Sequence, residues 1–283
     1  MTYDLHSHSI ASDGTLTPAR LVQQAAEAGV THLALTDHDT MAGLAEAQQA
    51  ASELPLRLIP GAELSALWRG RTLHVVGLHL DVDCGTLQEG IKRQLAFRDW
   101  RGREIARRLE KKAGINNAYE GALSFVHGGL VSRSHFARHL VSAGHARDFG
   151  QAIKKYLLQG KAGHVAGEWA SLTEVVDWIR QANGIAVLAH PARYKLTATR
   201  LRELLADFIE AGGEAIEVLS GSHTPGDIKA MTGHALRFDL LASAGSDYHG
   251  PENPWINLGR LPDMPPACQC VWHSDTWNER MVA

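Results

Sequence analysis

The sequence predicts an α/β protein whose strands and helices alternate around a barrel. Three observations carry that expectation. Seven short apolar runs end in polar, reactive residues. Helix-forming segments with start and stop signals separate most of these runs, the pattern of parallel strands joined by crossover helices. Reactive residues at so many strand ends can meet only where those ends converge on one face, as in a barrel; an open sheet would spread them too widely.

The first run opens at "DLHSHSIASDG", residues 4–14. Strand side chains alternate, so His6 and His8 fall on one side, with Asp13 five residues on. "TPARLVQQAAEAG" follows as a helix, with Thr17 as N-cap, Pro18 at the first helical position and Gly29 as the stop. The second run, "THLALTDHD", passes through Leu33 and Leu35 into Asp37, His38 and Asp39, and helical "MAGLAEAQQAASEL" comes after it. "LRLIPGAELS" ends at Glu63, and "RTLHVVGLHL" carries His74 and His79. The alternation then breaks between about residues 88 and 170, where Arg, Lys, Gly and helix formers dominate. Ile91, Leu95, Ile105 and Leu109 follow one helical face with Gly102 between them, so residues 88–170 read as a helical insertion after the fourth strand. Residues 1–87 and 171–283 are left to the barrel. "SLTEVVDWIRQANG" resumes with a capping box at Ser171 and Glu174 and closes at Gly184. "GIAVLAHP" ends at His190, helical "ATRLRELLADFIEAGG" follows, "EAIEVLSGSH" ends near His223, and "LLASAGSDYHG" ends at Asp247 and His249.

Composition narrows the class. At 283 residues and 45% hydrophobic content the chain can bury a proper core. It lacks an apolar run long enough to span a bilayer, and no secretory signal is expected from its first residues. Three cysteines, Cys84, Cys268 and Cys270, make no disulfide framework, which fits a reducing cytoplasm. Cys268 and Cys270 read as ordinary thiols. The net charge of −3 argues against a surface that gathers polyanions everywhere. One stretch departs from this balance: Lys92–Lys112 holds nine basic and three acidic residues, and reads as a solvated helix face. The compositional oddity is 16 histidines, which points to metal chemistry or proton transfer.

The strand-end residues are His6, His8, Asp13, His38, Glu63, His74, His190, Asp247 and His249. Any one of them alone is best read as a hydrogen-bonded core histidine or a turn carboxylate. Together on one barrel face they would be expensive to desolvate without a cation. A nitrogen and oxygen set with no thiolate suits Mn²⁺, Fe²⁺ or Zn²⁺, and contains more imidazoles than Mg²⁺ wants. Nine groups are too many for one ion and enough for two or three, with a carboxylate such as Glu63 bridging. Paired ions are a common device for phosphoester hydrolysis.

These motifs, "DLHSHS" with Asp13, "TDHD", "PGAE", His74, "AHP" and "SDYH", resemble the PHP family, named for polymerase and histidinol phosphatase. They run from residue 4 to residue 249. The resemblance implies a distorted (β/α)₇ barrel of the α/β class with up to three metals, most fittingly Mn²⁺. It implies one ion held by His6, His8, Glu63 and Asp247, a second by Asp13, His38 and His249, and a third by Glu63, His74 and His190. The amidohydrolase superfamily shares an early His-x-His but commonly bridges its metals with a carbamylated lysine; here Glu63 stands in that place. Within the PHP family the sequence is similar to a bacterial subgroup with "AHP-x-R" and an "R-x-H" helix start in the insertion. That similarity implies removal of the 3′-phosphate from nucleoside 3′,5′-bisphosphates, giving nucleoside 5′-monophosphates. Short single-stranded RNA degraded from its 5′ end is the second substrate class it implies. Histidinol phosphate or another small phosphomonoester is the alternative, and a non-catalytic nucleotide-binding module the remote one. No obligate protein partner is evident.

The insertion should choose the substrate. "VSRSHFARHLVSAGH" starts a helix at Ser132 or Ser134, setting Arg133 and His135 at its N-terminus, where backbone N–H groups and the dipole favour an anion. A further metal at His135 and His139 is not expected. Arg193, just past His190, can grip a phosphate in two-pronged fashion. Ser222 and His223 sit at a strand end, where they could touch substrate or protonate a leaving group; for His223 a structural hydrogen bond is an equal reading. Lys161 is a weaker substrate contact, and Asn117 and Tyr119 are candidates for a base pocket. Catalysis is expected from Asp13, His38, His190, Arg193, His223 and Asp247.

Overall fold

Seven strands hydrogen-bond in the order of the chain in the computed structural model, which describes residues 1–252 and 255–282. The elements are β1 (Tyr3–Asp4), α1 (Pro18–Glu27), β2 (His32–Leu35), α2 (Leu44–Ala51), β3 (Arg57–Trp68) and β4 (Arg71–Leu78). Next come α3 (Gly85–Ala113), α4 (Ala118–Leu123), α5 (Arg133–Ser142) and α6 (Phe149–Ala152). The chain ends with α7 (Leu172–Gln181), β5 (Ile185–Leu188), α8 (Ala198–Glu210), β6 (Ala215–Ser220), α9 (Pro225–Phe238), β7 (Leu241–Gly245) and α10 (Asp275–Val282). Leu5 N–H donates to Ala244 O at 2.9 Å and Ser7 bridges Tyr248 in parallel, so β7 returns to β1 and the sheet is nearly closed into a barrel. Gly245 permits this: a Cβ there would stand 2.2 Å from His6 Cβ.

All seven apolar runs form strands, but they are not all parallel. β4 runs antiparallel to both β3 and β5. Only Arg69 and Gly70, at φ of +46° and +78°, separate β3 from β4, too little chain for a crossover helix. The reversal moves two histidines. His74, in the first half of β4 and paired with Ser65, lies at the barrel mouth that holds Glu63. His79, beyond the end of β4, lies at the opposite mouth with Arg57 and Arg280. Glu63 itself is not a strand end. β3 continues past it to Trp68, although its parallel pairing with β2 stops at Pro60.

The helix signals were placed where the caps form. Thr17 accepts from Arg20 N–H at the start of α1, and Ser171 with Glu174 closes a reciprocal capping box on α7. The left-handed residue that ends α7 is Asn183, at φ +54°, one before Gly184. The sequence reading passed over α9, although Thr224 and Asp227 form the same box there, and over α10.

The barrel interior and its helices share a large apolar core in which Leu64, Val75, Val176, Leu188, Leu204 and Ile216 are fully buried. Helices α3–α6 gather a separate cluster around Leu109, Phe136 and Leu140. The 29-residue α3 buries Ile91, Gly102, Ile105 and Leu109 along one face, with Leu95 half-buried. Its basic residues are largely paired with acids: Arg93 with Glu174, Arg103 with Asp99, and Arg107 and Arg108 with Glu104. No helix among the described residues is long and apolar enough to cross a membrane.

Candidate metal centre and active-site cleft

Six imidazoles and three carboxylates meet at one mouth of the barrel. His6 and His8 follow β1 with their Nε2 atoms 3.1 Å apart, as the alternation of strand side chains required. His38 follows β2, His190 follows β5, and Asp247 and His249 follow β7. Glu63 is the hub. Its Oε2 lies 3.3 Å from His6 Nε2, 3.3 Å from His8 Nε2 and 2.9 Å from His38 Nδ1. Its Oε1 lies 2.9 Å from His74 Nδ1 and 2.8 Å from His190 Nε2. Asp247 Oδ1 stands 3.3 Å from His8 Nε2 and 3.6 Å from His6 Nε2, and Asp13 Oδ1 stands 3.3 Å from His249 Nε2.

Donor atoms form three convergent groups, each with its atoms within 4.8 Å of one another: His6, His8, Glu63 and Asp247; His8, Asp13, His38 and His249; and His38, Glu63 and His74. The first is the set expected from the sequence. The second adds His8 to the expected three, and in the third His38 stands where His190 was expected. His190 instead hydrogen-bonds Glu63 Oε1.

The contents of this cluster fit divalent cations. Asp13 Oδ1, His38 Nδ1, Glu63 Oε2 and His74 Nδ1 are buried yet make no hydrogen bond. His38 Nδ1 and Glu63 Oε2 approach to 2.9 Å without the alignment a hydrogen bond needs. Lone pairs that converge on a shared point behave this way. Burial opposes ionisation of Asp13, Glu63 and Asp247, yet the surrounding imidazoles, and Arg193 beside Asp247, hold all three well below the usual carboxylate range. Burial likewise opposes charge on His8, but Asp247 and Glu63 raise it to about 9. For His38 burial wins and lowers it to about 4. The site therefore demands positive charge between its carboxylates, which bound cations supply without protons.

A ring of buried acids holds the loops beneath. Glu217, on β6, accepts from His6 Nδ1–H at 2.6 Å and from His190 N–H at 2.6 Å. This bond fixes the His6 tautomer so that Nε2 faces Glu63 and Asp247. Asp37 accepts from Ser9 N–H, Ser9 Oγ–H and Ser12 Oγ–H at 2.6–2.8 Å and pins the turn that carries Asp13. Asp39 accepts from Ser65 N–H at 2.6 Å and from Arg98 Nε–H at 2.9 Å, tying α3 to the barrel. Sequence reasoning missed Glu217. Its signal was a lone acid inside a strand whose every residue is buried.

Above the cluster lies a cleft of about 320 Å³ whose lining includes Arg98, Arg101, Arg133 and Arg193. Arg193 pairs with Asp247. Arg133, at the start of α5, has no hydrogen bond or ion pair among the described residues. Arg101 makes no ion pair among the described residues and donates to Val165 O at 3.4 Å; burial with Arg133 and Arg98 nearby lowers it to about 9. Ser134, which also lines the cleft, donates to Asp13 Oδ2 at 2.7 Å. Sequence reasoning missed Arg98, Arg101 and Ser134, whose side chains reach the cleft only through the packing of α3 and α5 on the barrel.

Four expected substrate contacts are not among the residues lining this cleft. His135 is 2% exposed, and its Nδ1 accepts from Ser132 N–H at 3.0 Å, completing the capping box of α5. The helix start takes Nδ1 of this imidazole as its cap. His223 Nδ1–H donates to Val218 O at 3.1 Å, the structural alternative weighed for it. Ser222 and Lys161 are exposed. Tyr119 packs under the Arg103 guanidinium, and Asn117 is the left-handed N-cap residue of α4.

Comparison with known proteins agrees with this geometry. The PHP domain family matches residues 4–218. The chain is 44% identical to the 5′-3′ exoribonuclease Rnm of Salmonella typhimurium, over 99% of this chain and 95% of that one. It is 43% identical to the 3′,5′-nucleoside bisphosphate phosphatase of Chromobacterium violaceum, over 95% of this chain and 94% of that one. The fold superposes with a TM-score of 0.94 on the structure of an amidohydrolase from Chromobacterium violaceum with bound sulfate and no metal, at 42% identity, covering 99% of this chain and 97% of that one.

Proposed function

The chain belongs to the PHP domain family, and from that premise we infer that it is a metal-dependent phosphoesterase of nucleotides. It removes the 3′-phosphate of nucleoside 3′,5′-bisphosphates, leaving nucleoside 5′-monophosphates, and hydrolyses short oligoribonucleotides from the 5′ end by the same chemistry. Its relatives named for these two activities match nearly the whole chain. The observation that carries the reading is four arginines facing a buried cluster of three carboxylates and six imidazoles. A substrate with two phosphates answers both halves: one phosphate at the cluster, the other among the arginines.

His6, His8, Asp13, His38, Glu63, His74, Asp247 and His249 would hold two or three divalent ions, most fittingly Mn²⁺, with His190, bonded to Glu63 Oε1, at their edge. Bound there, such ions supply the Lewis-acid charge that polarises a phosphate ester and acidifies water. The chain's own residues do the rest. Arg193 reaches over the cluster to the scissile phosphate. Arg133 and Arg101, which make no ion pair among the described residues, take the second phosphate. Ser134 Oγ–H and the Asp37 bonds keep Asp13 in place. Glu217 holds His6 in one tautomer and anchors the backbone of His190. Residues 1–87 and 171–283 form the metal-binding barrel, and residues 88–170 the insertion that shapes the pocket. The working compartment is the cytoplasm.

The test is phosphate release by Mn²⁺-loaded protein from adenosine 3′,5′-bisphosphate, histidinol phosphate and a short 5′-phosphorylated RNA. Release from the bisphosphate that yields adenosine 5′-monophosphate supports the reading. Turnover of histidinol phosphate alone would overturn the nucleotide assignment and leave the metal site standing.

A further inference from the structure

The opposite mouth of the barrel holds a cavity of about 420 Å³ that has no part in the chemistry described above. Four separate segments wall it: the start of β3, the loop after β4, the turn between α7 and β5, and α10. The loop is fastened to its neighbours, since Leu80 N–H donates to Pro60 O at 3.1 Å and Asp81 N–H to Ala182 O at 2.8 Å. The charged lining is mainly basic: Arg57 from β3, Arg280 from α10 and, beside them, the imidazole of His79. Trp277 lies three residues before Arg280 on the same face of α10. It is 1% exposed and stands edge-on to His79, ring centroids 4.3 Å apart, which anchors the helix against the loop. His79 Nε2 is buried without a hydrogen bond, which leaves Nδ1 as the ring nitrogen open to a ligand. Arg280 makes no hydrogen bond or ion pair among the described residues, although Glu214, before β6, lies near enough to feel its charge. Among the described residues the lining holds one carboxylate, Asp81, whose Oδ1 accepts from Asp83 N–H at 3.0 Å. Two guanidiniums thus face one acid. Burial, with Arg280, Arg57 and His32 nearby, lowers His79 to about 4, so the imidazole adds no charge of its own until an anion arrives.

We propose that this cavity is a second anion site, remote from the metal cluster, that takes a phosphate dianion between Arg280, Arg57 and His79. The dianion is inorganic phosphate or the phosphate of a small monoester. Phosphate carries about −1.5 to −2 charges at neutral pH, which answers both guanidiniums, and its oxygens accept their N–H groups in pairs. A carboxylate brings one charge and answers one guanidinium. A bound dianion also favours the protonated form of His79, which then donates from Nδ1 as a third contact. The site lies at the far end of β4 from His74, so a phosphate there meets neither the carboxylate cluster nor the arginines of the cleft.

The test follows the ring ¹⁵N signals of His79 by nuclear magnetic resonance in the full chain loaded with diamagnetic Zn²⁺, the signals being assigned by their loss in His79→Gln. Inorganic phosphate, methylphosphonate (a dianion on carbon that phosphoester hydrolysis cannot cleave) and acetate are titrated separately. The His79 signals should move saturably with a dianion and little with acetate, and the pH at which the ring titrates should rise. Tighter inorganic phosphate identifies the free ion as the ligand, tighter methylphosphonate a monoester, and either supports the site. Arg280→Met should weaken the response by about ten- to a hundredfold, the worth of a charge-assisted contact, while phosphate release at the cleft keeps its parent rate. Arg57→Met, at an exposed position, should weaken it in the same direction without touching α10. Arg133→Ala, in the cleft, should leave the His79 response as it is in the parent. His79 signals that stay still in phosphate, that move as far with acetate, or that respond with parent affinity in both methionine variants would overturn the site. A response lost in Arg133→Ala would also overturn it, because the movement would then come from the cleft.

Discussion

Replacing Glu217 with Gln tests the link between the barrel's interior and its metal centre. The carboxylate is 1% exposed and makes two bonds of 2.6 Å, one to His6 Nδ1 and one to His190 N–H. Gln keeps the shape and one acceptor but loses the charge, and its NH₂ group can be turned toward an N–H that needs an acceptor. Hydrogen bonds to charged groups contribute about 1.5–3 kcal/mol each. Gln should therefore cost roughly 1–3 kcal/mol of stability and Ala roughly 3–6 kcal/mol, since Ala orphans both donors. The larger expectation concerns binding. Without a negative acceptor at Nδ1, His6 is free to carry its proton on Nε2, the atom that faces Glu63 and Asp247. Partners of this kind are worth about ten- to a hundredfold in metal affinity or activity. The assay is Mn²⁺ titration of metal-free parent and Glu217→Gln, with urea unfolding of the metal-free proteins beside it. Parent affinity for Mn²⁺ in the Gln variant would refute the tautomer argument, whatever the activity.

Further expectations follow from the same geometry. Arg133→Ala should raise KM for a nucleoside 3′,5′-bisphosphate by roughly ten- to a hundredfold, the worth of a charge-assisted phosphate contact, with a smaller effect on a monophosphate ester; equal losses on both substrates would remove it from the second-phosphate role. Arg193→Met should lower kcat by about a hundredfold or more, measured as phosphate release under saturating substrate. Mn²⁺ at a hundred times its Kd should stabilise the fold by about 2.7 kcal/mol, read from urea midpoints with and without chelator; no shift with Mn²⁺, Fe²⁺ or Zn²⁺ would count against the cluster as a metal site. Burial lowers His135 to about 4 in the folded protein, against an ordinary value near 6.5. The unfolded chain therefore binds the extra proton first, so the stability this group contributes is complete above about pH 6.5 and is lost as pH falls toward 4. The urea midpoint should drop over that window. His135→Gln, which preserves a capping box, should flatten the drop; an unchanged pH profile would show that the imidazole does not titrate through the cap.

The sequence by itself determined the α/β class, the seven strands, most of the helices and all nine residues of the buried cluster. The reason is local. Apolar runs and caps such as Thr17 and Ser171 act within a few residues of themselves, and a strand that ends in a ligand-type side chain displays it in one dimension. His6 and His8 needed only the two-residue repeat of a strand to share a face. What the tertiary structure decided depends on contacts between distant segments. β4 turns back because Arg69 and Gly70 leave no room for a crossover, and that reversal brings His74 to the cluster and sends His79 to the opposite mouth. His135 looked like an anion contact because a helix start favours anions, but the same helix start took its imidazole as a cap. Glu217 belongs to the site only because β6 lies beside β5 and near the end of β1, across 211 residues of chain from His6. The pairing of α3's arginines with acids and the convergence of Arg98, Arg101 and Arg133 on one cleft likewise exist only once α3 and α5 have packed on the barrel. Periodicity and capping are properties of neighbours along the chain, whereas charge compensation and enclosed space are properties of neighbours in the fold.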